Sequence, residues 1–554
     1  MTARCGAAVV AMLILLRRAV NDVYTPLFLL LVMCVHLLAA PHTKVEESFA
    51  MHAAHDVAFG GNDHLVNPPP VRRSAFAPLL LSLISTVPLS TLLRAEPIAP
   101  RWILALTVQL SIRLALAVAS SLSLASLASA CGTRTRRSGA WFVAICASQF
   151  HLMFYSCRLL MNTFALVPCT FALAFAARGL SDETRTGNGG TKSTRVSTDS
   201  SSSLSAASGD SNALALLLFT CTCIRAELAP AVAMCGVAIF FQHRFRTCLM
   251  TIGFALCAIF CAAVVDSAFW ETWTLPEAES AAFNVLQGNN KQWGVQPWHF
   301  YLTSALPRAV GPALLPAFIG FALEARMRVI GMSMTAFIIT LSLIPHKELR
   351  FLLPVIPAVN YAAALCLARF CDSEQAGSLF LRSLASLSFA ALLLSSCFKL
   401  YVSSQNYAGG SAMVALAKHV DSTNATCSGI YIDTALAQEG ANRFLEHAFA
   451  SDCWHFYKEH ADGPLSELLP RVQTPIRFAL STYPFVEACK GSEHVVERIH
   501  AFGGLNTSAL KAAFNERQLP DHVVRWETRA FVLSLTRCEL PRRIPSMISS
   551  SHFA

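Results

Sequence analysis

Charge is scarce in this chain. Of its 554 residues, 14% are Asp, Glu, Lys or Arg, while 54% are hydrophobic and the mean hydropathy is +0.48. A soluble domain carries roughly 25% charged residues, so a soluble chain of this length could not cover its surface. That shortage excludes an ordinary cytosolic enzyme and a disordered protein. The formal charge of +9 does not make a nucleic-acid binder either, because the Lys and Arg sit in short clusters between apolar runs rather than in one basic stripe. The chain has no P-loop, no GxSxG and no dinucleotide-binding glycine pattern, so soluble nucleotide chemistry has no home in it. It has no paired CxxC motifs, and no metal or cofactor is expected.

What is present is a series of apolar runs near the length of about 20 residues that crosses a bilayer. Tyr24–Pro41, Ala75–Leu93, Trp141–Ser156, Thr163–Ala177, Thr247–Asp266, Gly311–Leu323, Val329–Pro345, Phe351–Phe370 and Ser378–Tyr401 read as spans. Trp102–Ala130 fits one tilted span or two short ones, and Asn212–Phe241, with Arg225 and Glu227 at its middle, reads as two short helices. Ala7–Leu16 is too short to span and has Arg17 and Arg18 where a signal peptide needs small residues, so it reads as an uncleaved interfacial segment. Most of the nineteen Cys lie inside apolar runs, where thiols act as small hydrophobes. Cys427, Cys453, Cys489 and Cys538 lie in the more polar C-terminal part, where either disulfides or free thiols fit.

Cytosolic loops collect Lys and Arg. Placing the Arg17, Arg134–Arg137, Arg178–Arg195, His243–Arg246 and Arg326–Arg328 clusters in the cytosol is self-consistent if both ambiguous stretches are hairpins. The expected architecture is therefore an all-α polytopic membrane protein with about eleven to thirteen transmembrane helices. Its expected parts are a cytosolic or interfacial segment over 1–23, a multi-span domain over 24–401 and a lumenal region over 402–554. Loops 42–74 and 267–308 fall on the lumenal side, as do the sequons at Asn424 and Asn506. The segment 180–212, rich in Ser, Thr and Gly, reads as a disordered cytosolic loop.

Polar residues where they are costly mark the chemistry. Glu46 and Glu47 are adjacent, just beyond the first span, and His52, His55 and Asp56 follow at near-helical spacing. They form either a solvated loop whose acids pair with Lys44 and the histidines, or a membrane-surface active site in which one carboxylate is a general base. His346, Lys347 and Arg350 crowd a short loop on the side where basic residues are disfavoured, which suggests a fixed anion such as a lipid-linked phosphate; the plainer alternative is a headgroup anchor. Arg73, Arg158 with Asn162, and the loop holding Trp293, Trp298, His299, Tyr301 and Arg308 are candidates for acceptor or structural roles. Interfacial aromatics are usually belt anchors, and they also stack on sugars. Arg225 and Glu227 read as a structural pair.

The segments TKVEESF, NDHLVNPPPVRRS, QFHLMFYSCRLLMNTFAL, VDSAFW, NVLQGNNKQWGVQPWHFYLTSALPR, HKELRFLLPVIP and NYAGG occur in that order. Together they resemble the endoplasmic-reticulum mannosyltransferases of glycosyltransferase family 22, of GT-C type, over most of residues 24–450. Sister enzymes that add α-1,2-mannose or build glycolipid anchors carry an HPDE-like motif where this chain has Lys44-Val45-Glu46-Glu47, so the α-1,6 branch is favoured. One departure is Leu160-Met161-Asn162, where the family commonly has Leu-Pro-Asn. The resemblance implies a lumenal active site in the endoplasmic-reticulum membrane. Mannose would pass from dolichyl-phosphate mannose, in α-1,6 linkage, to the dolichyl-diphosphate-linked oligosaccharide Man7GlcNAc2, giving Man8 in N-glycan precursor assembly. The transfer would be inverting. Glu46, aligned with the motif Asp, would be the base and Glu47 the second choice, while His346, Lys347 and Arg350 would hold the donor phosphate. No nucleic acid, metal or cofactor is implied. The alternatives are a sister α-1,2- or glycolipid-anchor mannosyltransferase and, in a different class, a lipid transporter or scramblase.

Overall fold

The computed structural model describes residues 24–535 apart from 63–64, 66–68, 70, 95–98, 134–135, 188–199, 243–244, 324, 372–377, 450–452, 470–471, 473, 485–492 and 506–523. The Ala7–Leu16 segment, the Asn506 sequon, Cys489 and Cys538 lie outside the described residues. The chain forms two compact units. The larger gathers the chain up to Ala39, Phe49–Pro88 and Leu110–Tyr401; the smaller gathers Ala40–Ser48, Leu89–Gln109 and the chain from Val402.

The larger unit is helical. The principal helices up to Ser404 are α1 (Tyr24–Ala39), α2 (Ser48–Phe59), α3 (Phe76–Ile84), α4 (Thr86–Arg94), α5 (Arg101–Gly132), α6 (Arg136–Ser148), α7 (Phe150–Tyr155), α8 (Met161–Gly187), α9 (Ser200–Cys223), α10 (Ala229–Gln242), α11 (Phe245–Phe269), α12 (Leu314–Leu323), α13 (Ala325–Leu343), α14 (Ile356–Cys371) and α15 (Ser378–Ser404), of which most of α4 and the first turns of α5 belong to the smaller unit. Among the described residues, six helical segments are long and apolar enough to cross a membrane and four more are apolar but shorter. The protein is a multi-pass membrane protein. The Leu349–Cys371 span is 94% buried and the Leu379–Ser404 span only 11%, which puts the first at the centre of the helical packing and the second at its edge. Small residues let the helices approach. A Cβ on Gly320 of α12 would strike the Ala362 carbonyl of α14, and one on Gly139 of α6 would strike the Ala128 carbonyl of α5.

Several expected elements differ. Trp102–Ala130 is one continuous helix, α5, and not a hairpin. Ala75–Leu93 is broken at Ser85 into two nine-residue helices, each too short to cross. The Ser85 hydroxyl caps the Leu81 carbonyl, and Pro88 belongs to the first turn of α4, where its missing N–H costs nothing. The Asn212–Phe241 stretch is a pair of helices, α9 and α10, as expected. Trp141–Ser156 breaks at Gln149, whose side chain exchanges two hydrogen bonds with Asn360 of α14 (2.9 and 2.8 Å). The segment expected to be a disordered loop is helical at both ends, since α8 continues to Gly187 and α9 opens at Ser200.

The smaller unit holds α16 (Ala408–Thr423) and a mixed five-stranded sheet absent from the all-α expectation. Its strands are β1 (Gly429–Ile432), β2 (His455–Lys458), β3 (Ile476–Ser481), β4 (Glu493–Leu505) and β5 (Val524–Leu535), in the order β2-β1-β3-β5-β4. The β1 pairs with β2 and β3 are parallel, and those of β5 with β3 and β4 are antiparallel. Tyr431, Ile476, Ala479 and Leu533 form its core with Leu465 and Leu468. Cys427 and Cys453 are joined by a disulfide across 26 residues.

Candidate functional site

In the smaller unit the two carboxylates occupy a 3-10 turn, Val45–Glu47, which the Glu47 N–H closes onto the Lys44 carbonyl (3.0 Å). Adjacent residues on so tight a turn point different ways. Glu47 folds back, accepts the Lys44 N–H (3.3 Å) and is buried; Glu46 is exposed. The Lys44 ammonium pairs with Glu439 (2.9 Å) and sits 5.3 Å from the centre of the Tyr407 ring. The segment before the turn is locked into the same unit. Asn442 donates to the Thr43 hydroxyl (3.0 Å) and to Gln109 Oε1 (3.2 Å), and Gln109 donates to the Pro41 carbonyl (3.2 Å). This network explains why Ala40–Ser48 and Leu89–Gln109 join the C-terminal chain instead of the helical unit. It also explains NYAGG. Gly409 packs on the Leu436 carbonyl and Gly410 on the His42 ring, where a Cβ has no room, and the Gly410 N–H donates to the Glu439 carbonyl (3.0 Å).

In the larger unit the HKELR segment is a short loop followed by a 3-10 helix, Leu349–Val355. Glu348 is its hub. It accepts a two-pronged bond from the Arg350 guanidinium (2.7 and 2.8 Å) and one from His346 Nε2 (2.9 Å). The second His346 nitrogen faces the Gly294 carbonyl (3.2 Å), so both ring nitrogens meet oxygen atoms. Burial alone would raise the Glu348 carboxyl, but the His346 bond and the Arg350 charge outweigh it and hold the carboxyl below its usual range. Lys347 does not join this cluster around Glu348. Its ammonium is buried and donates to the Gln296 (3.0 Å) and Ile344 (2.6 Å) carbonyls, and burial pushes its pKa down. With the Gln296 N–H on the Pro345 carbonyl (3.1 Å), these bonds staple the NNKQWGVQPW loop to HKELR.

Beside HKELR lies a second charged group. The chain breaks between α9 and α10 at Arg225, in extended conformation. The Arg225 guanidinium pairs with Glu227 (2.7 Å) and lies 5.3 Å from the centre of the Phe351 ring, next to Arg350. The Ala226 N–H donates to Glu277 (3.1 Å). Burial lifts the Glu277 carboxyl to about 7, Arg225 pulling it down and Glu227 pushing it up. Arg73 lies within electrostatic reach of Arg225, Arg350, Glu277 and Glu227. Its carbonyl accepts the Trp270 indole N–H (3.2 Å), and Arg72 reaches Thr272 (3.2 Å), so VRRS and VDSAFW hold each other.

Leu228, which follows this group in the chain, lines an apolar cavity of about 110 Å³. Leu214, Phe337, Pro354 and Val355 line it too.

The other candidates are scattered. Asp56 is buried in α2, 3.4 Å from His55 Nδ1 and packed on Gly61, where a Cβ would meet its carboxylate. Arg158 is buried with its guanidinium 4.4 Å from the Phe154 ring. His299 bonds Thr303, and Arg308 donates to the Ser304 carbonyl; both are exposed, as is Trp298. The Trp293 side chain lies outside the described residues. Arg113, fully buried in α5 and donating to the Cys157 carbonyl (3.1 Å), was not singled out from the sequence, although a lone Arg in the run QLSIRLALAV signals it. Among the described residues no group of three or more His, Cys, Asp or Glu is placed to hold a metal.

Residues 9–446 match the Alg9-like mannosyltransferase family. The chain belongs to that family. Among relatives, the Dol-P-Man:Man(7)GlcNAc(2)-PP-Dol alpha-1,6-mannosyltransferase of Drosophila melanogaster is 32% identical over 426 residues, 74% of this chain and 57% of that protein. The protein of the same name from Saccharomyces cerevisiae is 26% identical, covering 88% of this chain and 90% of its own length. Thus the chain spans little more than half of the fly relative's length and nearly all of the yeast one's. The helical architecture is the GT-C fold. It is similar to crystalline ArnT from Cupriavidus metallidurans bound to undecaprenyl phosphate, with a TM-score of 0.52 at 12% identity over 92% of this chain and 96% of that one.

Proposed function

We propose that this Alg9-like protein transfers mannose from dolichyl-phosphate mannose, in α-1,6 linkage, to the lipid-linked oligosaccharide Man7GlcNAc2-PP-dolichol, in the endoplasmic-reticulum membrane and on its lumenal side. The observation that carries this reading is the match, along 74% and 88% of the chain, to relatives of that printed activity. Arg350 and His346, fixed by Glu348, are the groups to hold the donor phosphate; Lys347, spent on backbone carbonyls, shapes the loop instead. The apolar cavity lined by Pro354 and Val355, in the same 3-10 helix as Arg350, suits an isoprenoid tail.

The chemistry needs few groups. The acceptor 6-hydroxyl attacks the anomeric carbon on the face opposite the phosphate, the C1–O bond to phosphate breaks, and a carboxylate takes the hydroxyl proton. Phosphate is a good leaving group, so no general acid is required. Glu46 is the base in this scheme, because it is the exposed carboxylate of the pair while Glu47 is buried and bonded to backbone. Purified protein offered the donor with Man7 lipid-linked acceptor or with a glycolipid-anchor precursor tests the reading. Transfer to Man7 alone is the expected result, and transfer to the anchor precursor alone rejects it.

A further inference from the structure

We infer that Arg225, backed by Arg73, is a second cationic contact for the donor phosphate, specialised for the charge that appears as mannose leaves. The inference rests on the proposed phosphate site at Arg350. The Arg225 guanidinium lies 5.3 Å from the centre of the Phe351 ring, which follows Arg350 in the HKELR helix, and Arg73 is within electrostatic reach of both Arg225 and Arg350. Like charges gathered at a helix break in an apolar protein repel strongly unless an anion joins them. The three local carboxylates offset them incompletely. Glu348 is taken by both Arg350 and His346, Glu227 by Arg225, and Glu277, on the Ala226 N–H, sits where burial favours its neutral form. Leu228 of the Arg225 turn and Pro354 of the HKELR helix both line the apolar cavity, so the two segments share it. An amphiphile with its tail along Leu228 and Pro354 has its head group within reach of the segments that carry Arg225 and Arg350.

The reaction itself gives two cations a reason. The donor phosphodiester carries one negative charge. When the C1–O bond breaks, both electrons stay on the phosphate oxygen, the mannosyl carbon bonds to the acceptor oxygen, and the displaced proton goes to the base. The product dolichyl phosphate carries two negative charges. A group that meets the second charge stabilises the transition state more than the ground state. Arg350 with His346 suffices for the diester, and Arg225 meets the charge that develops.

The test compares product inhibition with donor affinity in the full-length protein. Arg225→Ala is expected to raise the inhibition constant of dolichyl phosphate about 10- to 100-fold, to raise the donor KM by a smaller factor, and to leave the acceptor KM unchanged. Glu227→Gln breaks the same ion pair but leaves the Arg225 charge, so it should keep the inhibition constant within about threefold of wild type. An Arg225→Ala protein that melts normally and keeps the wild-type ratio of inhibition constant to donor KM overturns the inference. So does a Glu227→Gln protein that loses product affinity equally, because the pair is then only structural. If the Ala variant does not fold, Arg225→Gln is read instead, which removes the charge at similar size; an inhibition constant within threefold of wild type there overturns the inference, and a several-fold rise supports it. Arg350→Ala separates the two levels. If it leaves donor and product binding intact, the phosphate site itself is misplaced. If Arg350→Ala weakens both while Arg225→Ala weakens neither, only the second contact fails.

Discussion

Neutralising each glutamate of the first loop in turn separates base from scaffold. Glu46 is exposed, while Glu47 is 2% exposed and accepts the Lys44 N–H at 3.3 Å. Glu46→Gln keeps size and most hydrogen bonding but removes the proton acceptor. Loss of a general base costs about 10²–10⁴-fold in rate, or roughly 2.7–5.4 kcal/mol of activation free energy. Folding should be untouched, because an exposed carboxylate contributes little to stability. Glu47→Gln should do the opposite. Its amide oxygen can still accept the Lys44 N–H, but a charge-assisted bond becomes a neutral one inside the turn, at a cost of about 1–2 kcal/mol. A lower melting temperature and a modest rate loss follow. The assay is single-turnover mannose transfer by both purified variants, with thermal melting alongside. A Glu46→Gln enzyme within tenfold of wild type refutes the assignment. If Glu47→Gln is then the inactive one, the roles swap. If both stay active, the base is elsewhere, and buried Asp56 is a poor substitute because Gly61 closes over it.

Three further outcomes follow from the same geometry. Arg350→Ala removes the forked partner of Glu348 and should lower kcat/KM about 30- to 1000-fold, the loss of roughly 2–4 kcal/mol at a phosphate contact; a normal rate in a folded protein would leave HKELR as a headgroup anchor. Glu277 has its folded-state carboxyl raised to about 7 from 4.5, so the stability it lends as a neutral acid is complete below about pH 4.5 and lost as pH rises through 7; melting curves of Glu277→Gln and wild type should therefore converge near pH 5 and separate at pH 8, with the variant the more stable, and a constant difference across that range contradicts the assignment. Cys427→Ser with Cys453→Ser opens a 26-residue link and should cost the smaller unit about 3.5 kcal/mol on the loop-entropy estimate; equal melting of wild type with and without reductant would contradict a stabilising bond.

The sequence is legible where one force dominates. Apolar runs announce most of the spans, because no other composition survives in a bilayer. The motif pair KVEE and HKELR stands out because charge is rare here. Three things hide. The break of Ala75–Leu93 depends on Ser85 and Pro88, which an average over apolar residues smooths away. The sheet β1–β5 is built from short strands, four residues each in β1 and β2, whose pairing is long-range. The direction of the Lys347 ammonium is the third, because charge says nothing of where a side chain points, and its bonds to the Gln296 and Ile344 carbonyls appear only in the structure. Conversely, Arg225 and Glu227 read as a self-contained pair until Arg73, Glu277 and Arg350 appear around them.

The bond formed by the purified protein is the most direct measure of its function. Incubation with dolichyl-phosphate β-mannose and Man7GlcNAc2-PP-dolichol, followed by NMR and linkage analysis of the released glycan, reads position and anomeric configuration together. A single added mannose, α-configured and on a 6-hydroxyl, is the predicted product of single displacement from a β-linked donor. A 1,2-linked mannose would place the chain with the sister enzymes, and a β-configured one would contradict inversion with Glu46 as base.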